Sequence, residues 1–227
     1  MCGRFTQKAD KENIKKEFKI DSFQDALLTP RYNIAPTQQI AAVRLLEGAN
    51  ELSMLKWGLV PSWAKDESIG SKMINARAET LAEKPSFRKA FRHRRLIIPA
   101  SGFYEWVKTG RGAKQPFYFY LKDKEVFGFA GLWEEWLDKE SGELLETCTI
   151  ITTEANKVLD PVHDRMPVIL KAKDYEQWLD AKETRSERLQ SLIVPYPAAE
   201  MASHAVSRAV NIPATDSPEL IEELNSK

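Results

Sequence analysis

The sequence predicts an α+β fold: one domain, residues 1–227, with a largely antiparallel, barrel-like β core and flanking helices. Three observations carry this. Strand candidates outnumber helix candidates and are rich in aromatic and β-branched residues, as in 116–122 (PFYFYLK), 126–133 (VFGFAGLW) and 144–152 (LLETCTIIT). The helices are spread unevenly, without the steady strand–helix alternation of a doubly wound sheet. Finally, 227 residues fit one large domain or two small ones, and no Gly/Ser-rich linker, repeat or low-complexity tract divides them.

Taken in order, residues 1–7 read as a short strand and 10–19 (DKENIKKEFK) as a polar helix. Asp10 is placed to cap that helix, with Ile14 and Phe18 on one face. Residues 31–37 read as turn or loop, because Pro36 biases Ala35 away from helix. Two strands, 39–46 and 51–60, are joined by a turn at Gly48-Ala49-Asn50, and Pro61-Ser62-Trp63 ends the second. Residues 75–79 read equally as strand or loop, and 86–92 as a short helix. Residues 95–107 (RLIIPASGFYEWV) read as strand, tight turn, strand. The three aromatic-rich strands follow, then a loop from Pro161 entering a strand at 166–170. Residues 173–181 and 186–193 are helical, with Tyr175, Trp178 and Leu179 on an apolar face, and 204–210 is a last strand. Ser217-Pro218-Glu219 reads as a final helix start.

Composition narrows the class. Apolar residues make up 43% and charged residues 29%, ordinary for a soluble globular protein. No apolar run approaches the ~18–20 residues of a membrane span, and the start lacks the basic-then-apolar pattern of a signal peptide. Cys2 and Cys148 do not make a disulfide framework, so a reducing compartment, the cytoplasm, is expected. The formal net charge is zero, so bulk electrostatics do not announce nucleic acid. Local charge varies: residues 84–95 (KPSFRKAFRHRR) are densely basic and Lys108, Arg111 and Lys114 follow. Asp216, Glu219, Glu222 and Glu223 make an acidic tail. A basic face beside an acidic one, or merely solvated helix surfaces, both fit. The histidines (His93, His163, His204) and cysteines are spaced unlike a zinc site, and no phosphate-loop, dinucleotide or nucleophile-elbow pattern occurs. Neither a metal nor a cofactor is expected.

Cys2 is chemically unusual. Removal of Met1 makes it the mature N-terminus, with an α-amine titrating near ~7.7–8 and a thiol near ~8.5. An aldehyde attacked by the amine gives a Schiff base, and the adjacent thiol then closes a five-membered thiazolidine. With Met1 retained, that closure is impossible. The plainer reading is a small buried hydrophobe opening a strand. Glu105, flanked by aromatics in Gly102-Phe103-Tyr104-Glu105-Trp106, is either an outward strand residue or a pocket carboxylate of raised pKa. His163, in a Pro-bounded loop beside Asp164 and Arg165, is a proton shuttle or a surface histidine. Asn75 offers a donor and an acceptor to an oxygen-rich ligand. Arg4, Arg77 and Arg165 are phosphate forks or ordinary surface ion pairs. Trp57, Trp63, Trp106 and Phe103 are stacking faces or core.

In combination these stretches resemble the SOS response-associated peptidase family of abasic-site processing proteins. The matching segments are Met1-Cys2-Gly3-Arg4-Phe5, Tyr32-Asn33-Ile34-Ala35-Pro36-Thr37, Trp57-Gly58-Leu59-Val60-Pro61 and Asn75-Ala76-Arg77-Ala78-Glu79, followed by Arg95–Ala100 running into Gly102–Trp106 and by His163-Asp164-Arg165-Met166-Pro167. They keep family order to about residue 170, and the order is far more specific than any one segment. The resemblance implies a monomeric bacterial sensor of abasic sites in single-stranded DNA, nucleoid-associated when bound to DNA. Cys2 would crosslink to the deoxyribose, Asn75 sit beside the sugar, Glu105 orient or deprotonate the cysteine amine, and His163 assist ring opening. Arg4, Arg77 and Arg165 would hold phosphates, and Asn33, Trp57 and Trp63 would line or wedge the DNA channel. Strand cleavage by β-elimination, reversal of the crosslink and autoproteolytic exposure of Cys2 are implied too. A cysteine-dependent peptidase, a non-covalent reader of modified DNA and a structural protein are the alternatives.

Overall fold

The computed structural model describes residues 2–23, 28–107 and 114–224; Met1, Lys108 and Arg111 lie outside them. The described chain runs β1 (Phe5–Gln7), α1 (Lys11–Phe18), β2 (Ser22–Phe23), β3 (Arg31–Ile34), β4 (Gln39–Leu46), β5 (Ala49–Trp57), β6 (Asn75–Arg77) and α2 (Arg88–His93). Then come β7 (Arg95–Ala100), β8 (Gly102–Val107), β9 (Gln115–Leu121), β10 (Phe127–Leu137), β11 (Leu144–Glu154), β12 (Arg165–Pro167) and β13 (Ile169–Leu170). The last elements are α3 (Tyr175–Leu179), α4 (Ser186–Gln190) and β14 (Met201–Ala205).

Five strands form a closed barrel. β5, β4, β7, β10 and β11 pair antiparallel in that order. β11 then returns to β5 in parallel, through Thr147 with Lys56 and Cys148 with Trp57. β6 continues along the same edge of β11, and β12 takes the other edge beyond β10. A second, all-antiparallel sheet in the order β14, β9, β8, β1, β3 lies against the barrel. The α+β, largely antiparallel, barrel-like expectation is thus met.

Side-chain alternation along the strands divides the core. On β7, Leu96, Ile98 and Ala100 join an apolar layer with Phe5, Phe103 and Phe119 of the second sheet, whereas Ile97 faces a layer with Ile14, Phe18, Phe91 and Trp178 of the helices. Phe5 anchors the first layer edge-on to Trp57 at 5.3 Å and Phe129 at 5.8 Å. β1 is therefore held by β3 and β8 within its sheet and by Phe5 against the barrel, and Cys2 ahead of it is buried in the same layer.

Local signals explain several elements. The Asp10 carboxylate accepts the Asn13 N–H at 2.8 Å, and Ile14 and Phe18 are the buried face of α1. Other boundaries move. Residues 31–34 are a strand, because pairing with β1 outweighs the turn-like composition. The β4–β5 hairpin turns at Glu47-Gly48, where φ is +50° and +88°, as a two-residue turn of primed type demands. β5 stops at Trp57 rather than residue 60, since Gly58 (φ +134°) turns the chain against Gly70, whose carbonyl oxygen leaves no room for a Cβ. The 204–210 strand is instead Met201–Ala205 followed by a 3-10 turn at Arg208–Asn211, and Pro218–Ile221 is also a 3-10 turn.

Candidate active site

Cys2 leads into β1 and is fully buried. Its carbonyl oxygen accepts a hydrogen bond from Asn75 Nδ2 at 2.8 Å. Asn75 is delivered by β6, whose parallel pairing with β11 sets it opposite Ile150. Its other amide atom, Oδ1, is buried with no hydrogen-bond partner among the described residues, so an acceptor stands ready beside Cys2. Glu105 comes from β8, the neighbour of β1; Tyr104 N–H donates to the Arg4 carbonyl at 3.0 Å and fixes the register there.

Glu105 and His163 line one cleft with Trp106, Lys114 and Asn211, of about 450 Å³. Trp106 Nε1 donates to Asn211 Oδ1 at 2.8 Å and closes one wall. Burial is the main electrostatic influence here. It pushes the Glu105 carboxyl up to about 7, against the pull of positive charge at the start of the chain. Burial, reinforced by the Glu105 charge, also pushes the Cys2 thiol far above its ordinary value, so the sulfur stays protonated at neutral pH. His163 is pushed down by burial and by surrounding positive charge, so its neutral form is favoured. Its Nδ1 accepts the Arg165 backbone N–H at 3.0 Å and stands 2.8 Å from Asp164 Oδ1. Nδ1 cannot accept from one and donate to the other at once, so the two contacts belong to the two tautomers of the neutral ring.

The fold thus brings Cys2, Asn75, Glu105 and His163 together. The residues singled out for DNA are placed differently. Arg77 is exposed at the end of β6. Arg165 is pinned by Glu79, Nη1 to Oε1 at 2.6 Å and Nη2 to Oε2 at 3.0 Å, and by the Thr152 carbonyl at 2.6 Å. Arg4 Nη1 donates to Asn33 Oδ1 at 2.7 Å and the Val210 carbonyl at 2.8 Å. Asn33 is itself buried, its amide donating to the Val210, Ile212 and Thr215 carbonyls, so the pair ties the C-terminal segment to the second sheet. Trp57 is fully buried with Nε1 donating to the Ile74 carbonyl at 2.9 Å, and its ring offers no open face. Trp63 is 59% exposed on the turn after β5, next to Ala64, whose carbonyl accepts from Trp136 Nε1. Asn211 was not legible beforehand, since it meets the cleft only through tertiary folding. Glu79 stood within a recognised segment without an assigned role.

Comparison with known proteins is consistent across sequence and fold. The family model described as SOS response associated peptidase (SRAP) matches residues 1–213. Abasic site processing protein YoqW of Bacillus subtilis (strain 168) is 50% identical over 223 residues, 98% of this chain and 99% of its own. Abasic site processing protein HMCES of Gallus gallus is 35% identical over 74% of this chain and 56% of its own. A crystal structure of a protein from Bacteroides thetaiotaomicron superposes with a TM-score of 0.88 at 29% identity, covering 99% of this chain and all of that one.

Proposed function

The chain belongs to the SOS response associated peptidase family, and from that premise we propose that it processes abasic sites in single-stranded DNA by covalent capture on Cys2. The observation that carries the reading is that Glu105 and His163 line one open cleft while the buried Cys2 lies within electrostatic reach of Glu105 and is bonded through its carbonyl to Asn75.

An abasic site is a latent aldehyde held mostly as a closed sugar. His163, neutral at pH 7 with its proton on Nε2, donates a hydrogen bond to the ring oxygen while Glu105 moves the anomeric hydroxyl proton onto that oxygen and C1′ opens. Once Met1 has been removed, the Cys2 amine attacks C1′. Glu105, with a pKa near neutrality, removes a proton from the attacking nitrogen and returns it to the departing hydroxyl, which leaves as water. The buried thiol then adds to the imine carbon and passes its proton to the nitrogen, closing the thiazolidine. The sum is aldehyde plus aminothiol giving adduct plus one water. Amine attack comes first because burial keeps the sulfur protonated. The orphaned Asn75 Oδ1 accepts a sugar hydroxyl. From the open imine, loss of a C2′ proton expels the 3′-phosphate, which is strand cleavage; thiazolidine closure removes that electron sink. Reopening and hydrolysis reverse the crosslink. A missing base also makes entry of the nucleotide into the cleft inexpensive. The same burial disfavours the peptidase reading, which needs a thiolate.

Intact-mass analysis before and after exposure to abasic single-stranded DNA tests this. The Met1-processed protein should gain the mass of the DNA less one water, and Cys2→Ala should form no heat-stable adduct. A stable adduct in Cys2→Ala overturns the proposal.

A further inference from the structure

Asn75 and His163 sit on two segments at opposite edges of β11. Asn75 lies on β6, and Glu79 follows it in the 3-10 turn Ala78–Thr80. His163 precedes β12, which begins at Arg165. Between them Thr152 pairs with Arg77 on one side and Pro167 on the other. The Arg165 guanidinium spans this gap, held two-pronged by the Glu79 carboxylate at 2.6 and 3.0 Å and by the Thr152 carbonyl at 2.6 Å. Its side chain is only 12% exposed, and Glu79 closes over it. The same residue's backbone N–H donates to His163 Nδ1 at 3.0 Å.

We propose that Glu79 is a positioning residue for His163: by clamping Arg165 it fixes the peptide N–H against Nδ1 and so keeps the imidazole proton on Nε2. A two-pronged guanidinium–carboxylate pair specifies orientation as well as charge. The competing arrangement is built in. Asp164 lies 2.8 Å from the same Nδ1 and is 85% exposed, so a ring released by Arg165 turns its Nδ1–H to that carboxylate. In that state the transferable proton sits on the wrong nitrogen. Clamped as it is, Arg165 serves the cleft by orienting its neighbour rather than by reaching for phosphate. This inference rests on the covalent-capture reading for its kinetic consequence, but its structural core concerns His163 alone.

The test uses Glu79→Gln and Glu79→Asp in the Met1-processed protein. Without DNA, the imidazole nitrogen signals of His163, one of three histidines, should show the Nε2–H form in the parent and growth of the Nδ1–H form in Glu79→Gln. With abasic single-stranded DNA at saturation, crosslinking by Glu79→Gln should slow about tenfold, the scale of a misplaced catalytic group, while the half-saturating DNA concentration stays within about twofold. Glu79→Asp, which keeps the charge at shorter reach, should lose less in the same direction. The double variant Glu79→Gln/Arg165→Gln should be no slower than Arg165→Gln, because the two act as one unit. Unchanged nitrogen signals and rates in Glu79→Gln overturn the inference. So does tighter DNA binding with a steeper salt dependence, which would make Glu79 a competitor of phosphate for Arg165. A parent protein that forms no adduct sinks the covalent-capture reading instead, and the nitrogen signals still decide the role of Glu79.

Discussion

Arg95 and Glu105 are both buried charged residues on consecutive strands, and their surroundings are opposite. The Arg95 side chain places its five N–H donors on five backbone carbonyls, those of Phe91, Arg92, Trp178, Asp180 and Glu183. It thereby caps the ends of α2 and α3 at once and locks the helical layer onto β7. At the cleft, burial lifts the Glu105 carboxyl toward neutrality, and nearby, against Cys2, Asn75 keeps a buried acceptor without a partner among the described residues. A satisfied buried charge stabilises the fold. A carboxyl whose pKa is raised by desolvation costs stability where it ionises, and the buried Asn75 Oδ1 gains a donor when a ligand arrives.

The sharpest way to break this contrast is Glu105→Gln. It should slow adduct formation on the order of 10²- to 10⁴-fold, as for loss of a general acid–base group, measured by gel shift under denaturing conditions. It should also stabilise the protein above neutral pH. The folded pKa, about 7, lies above the ordinary value of 4.5, so the native carboxyl's contribution is fully present below pH 4.5 and lost as pH rises through 7. Urea unfolding at pH 8 should therefore favour Glu105→Gln by up to roughly 3 kcal/mol, with little difference at pH 4. Equal stabilities at both pH values would mean that Glu105 is not desolvated.

Arg95→Met should do the reverse. Orphaning the carbonyls should cost on the order of 3–5 kcal/mol in urea unfolding, while the folded fraction crosslinks at the parent rate. A folded Arg95→Met protein with lost crosslinking would erase the division between the two regions.

The smallest expected effects separate two arginines. Arg77→Ala should weaken DNA binding a few-fold and lower the slope of log affinity against log salt by about 0.7, one single-strand phosphate contact, leaving the saturated crosslinking rate unchanged. Arg4→Ala should instead lower stability by about 1–3 kcal/mol, because Asn33 Oδ1 loses its Arg4 donor and the Val210 carbonyl keeps only the longer bond from Asn33. A salt-slope change in Arg4→Ala without a stability loss would return Arg4 to the phosphate-binding set.

Legibility followed the range of the interactions. The cap and apolar face of α1 lie within nine residues, Asp10 to Phe18, and were readable. β3 was hidden because its hydrogen bonds go to β1, while Asn33 and Pro36 look locally like a turn. Trp57 and Trp63 differ by six positions and are indistinguishable as residue types; strand alternation buries one and the turn after β5 exposes the other. Asn33 read as a ligand contact and turned out to tie down Ile212 and Thr215, segments about 180 residues away.

Residue chemistry made Cys2, Glu105, His163 and Asn75 candidates beside plainer readings, because an aminothiol, a carboxyl among aromatics, a loop imidazole and an amide have reactive or bonding capacities that do not depend on fold; the resemblance gave them their roles. The family likewise followed from the order of short segments along the chain. Tertiary structure alone decided that these four meet, that Glu105 is desolvated, that Arg4 and Arg165 are already engaged, and that Glu79 matters to His163. Those properties depend on distance and dielectric across β1, β6, β8 and β11, where Phe5 pairs with Phe103 and Asn75 with Ile150, and no local pattern encodes a distance of that kind.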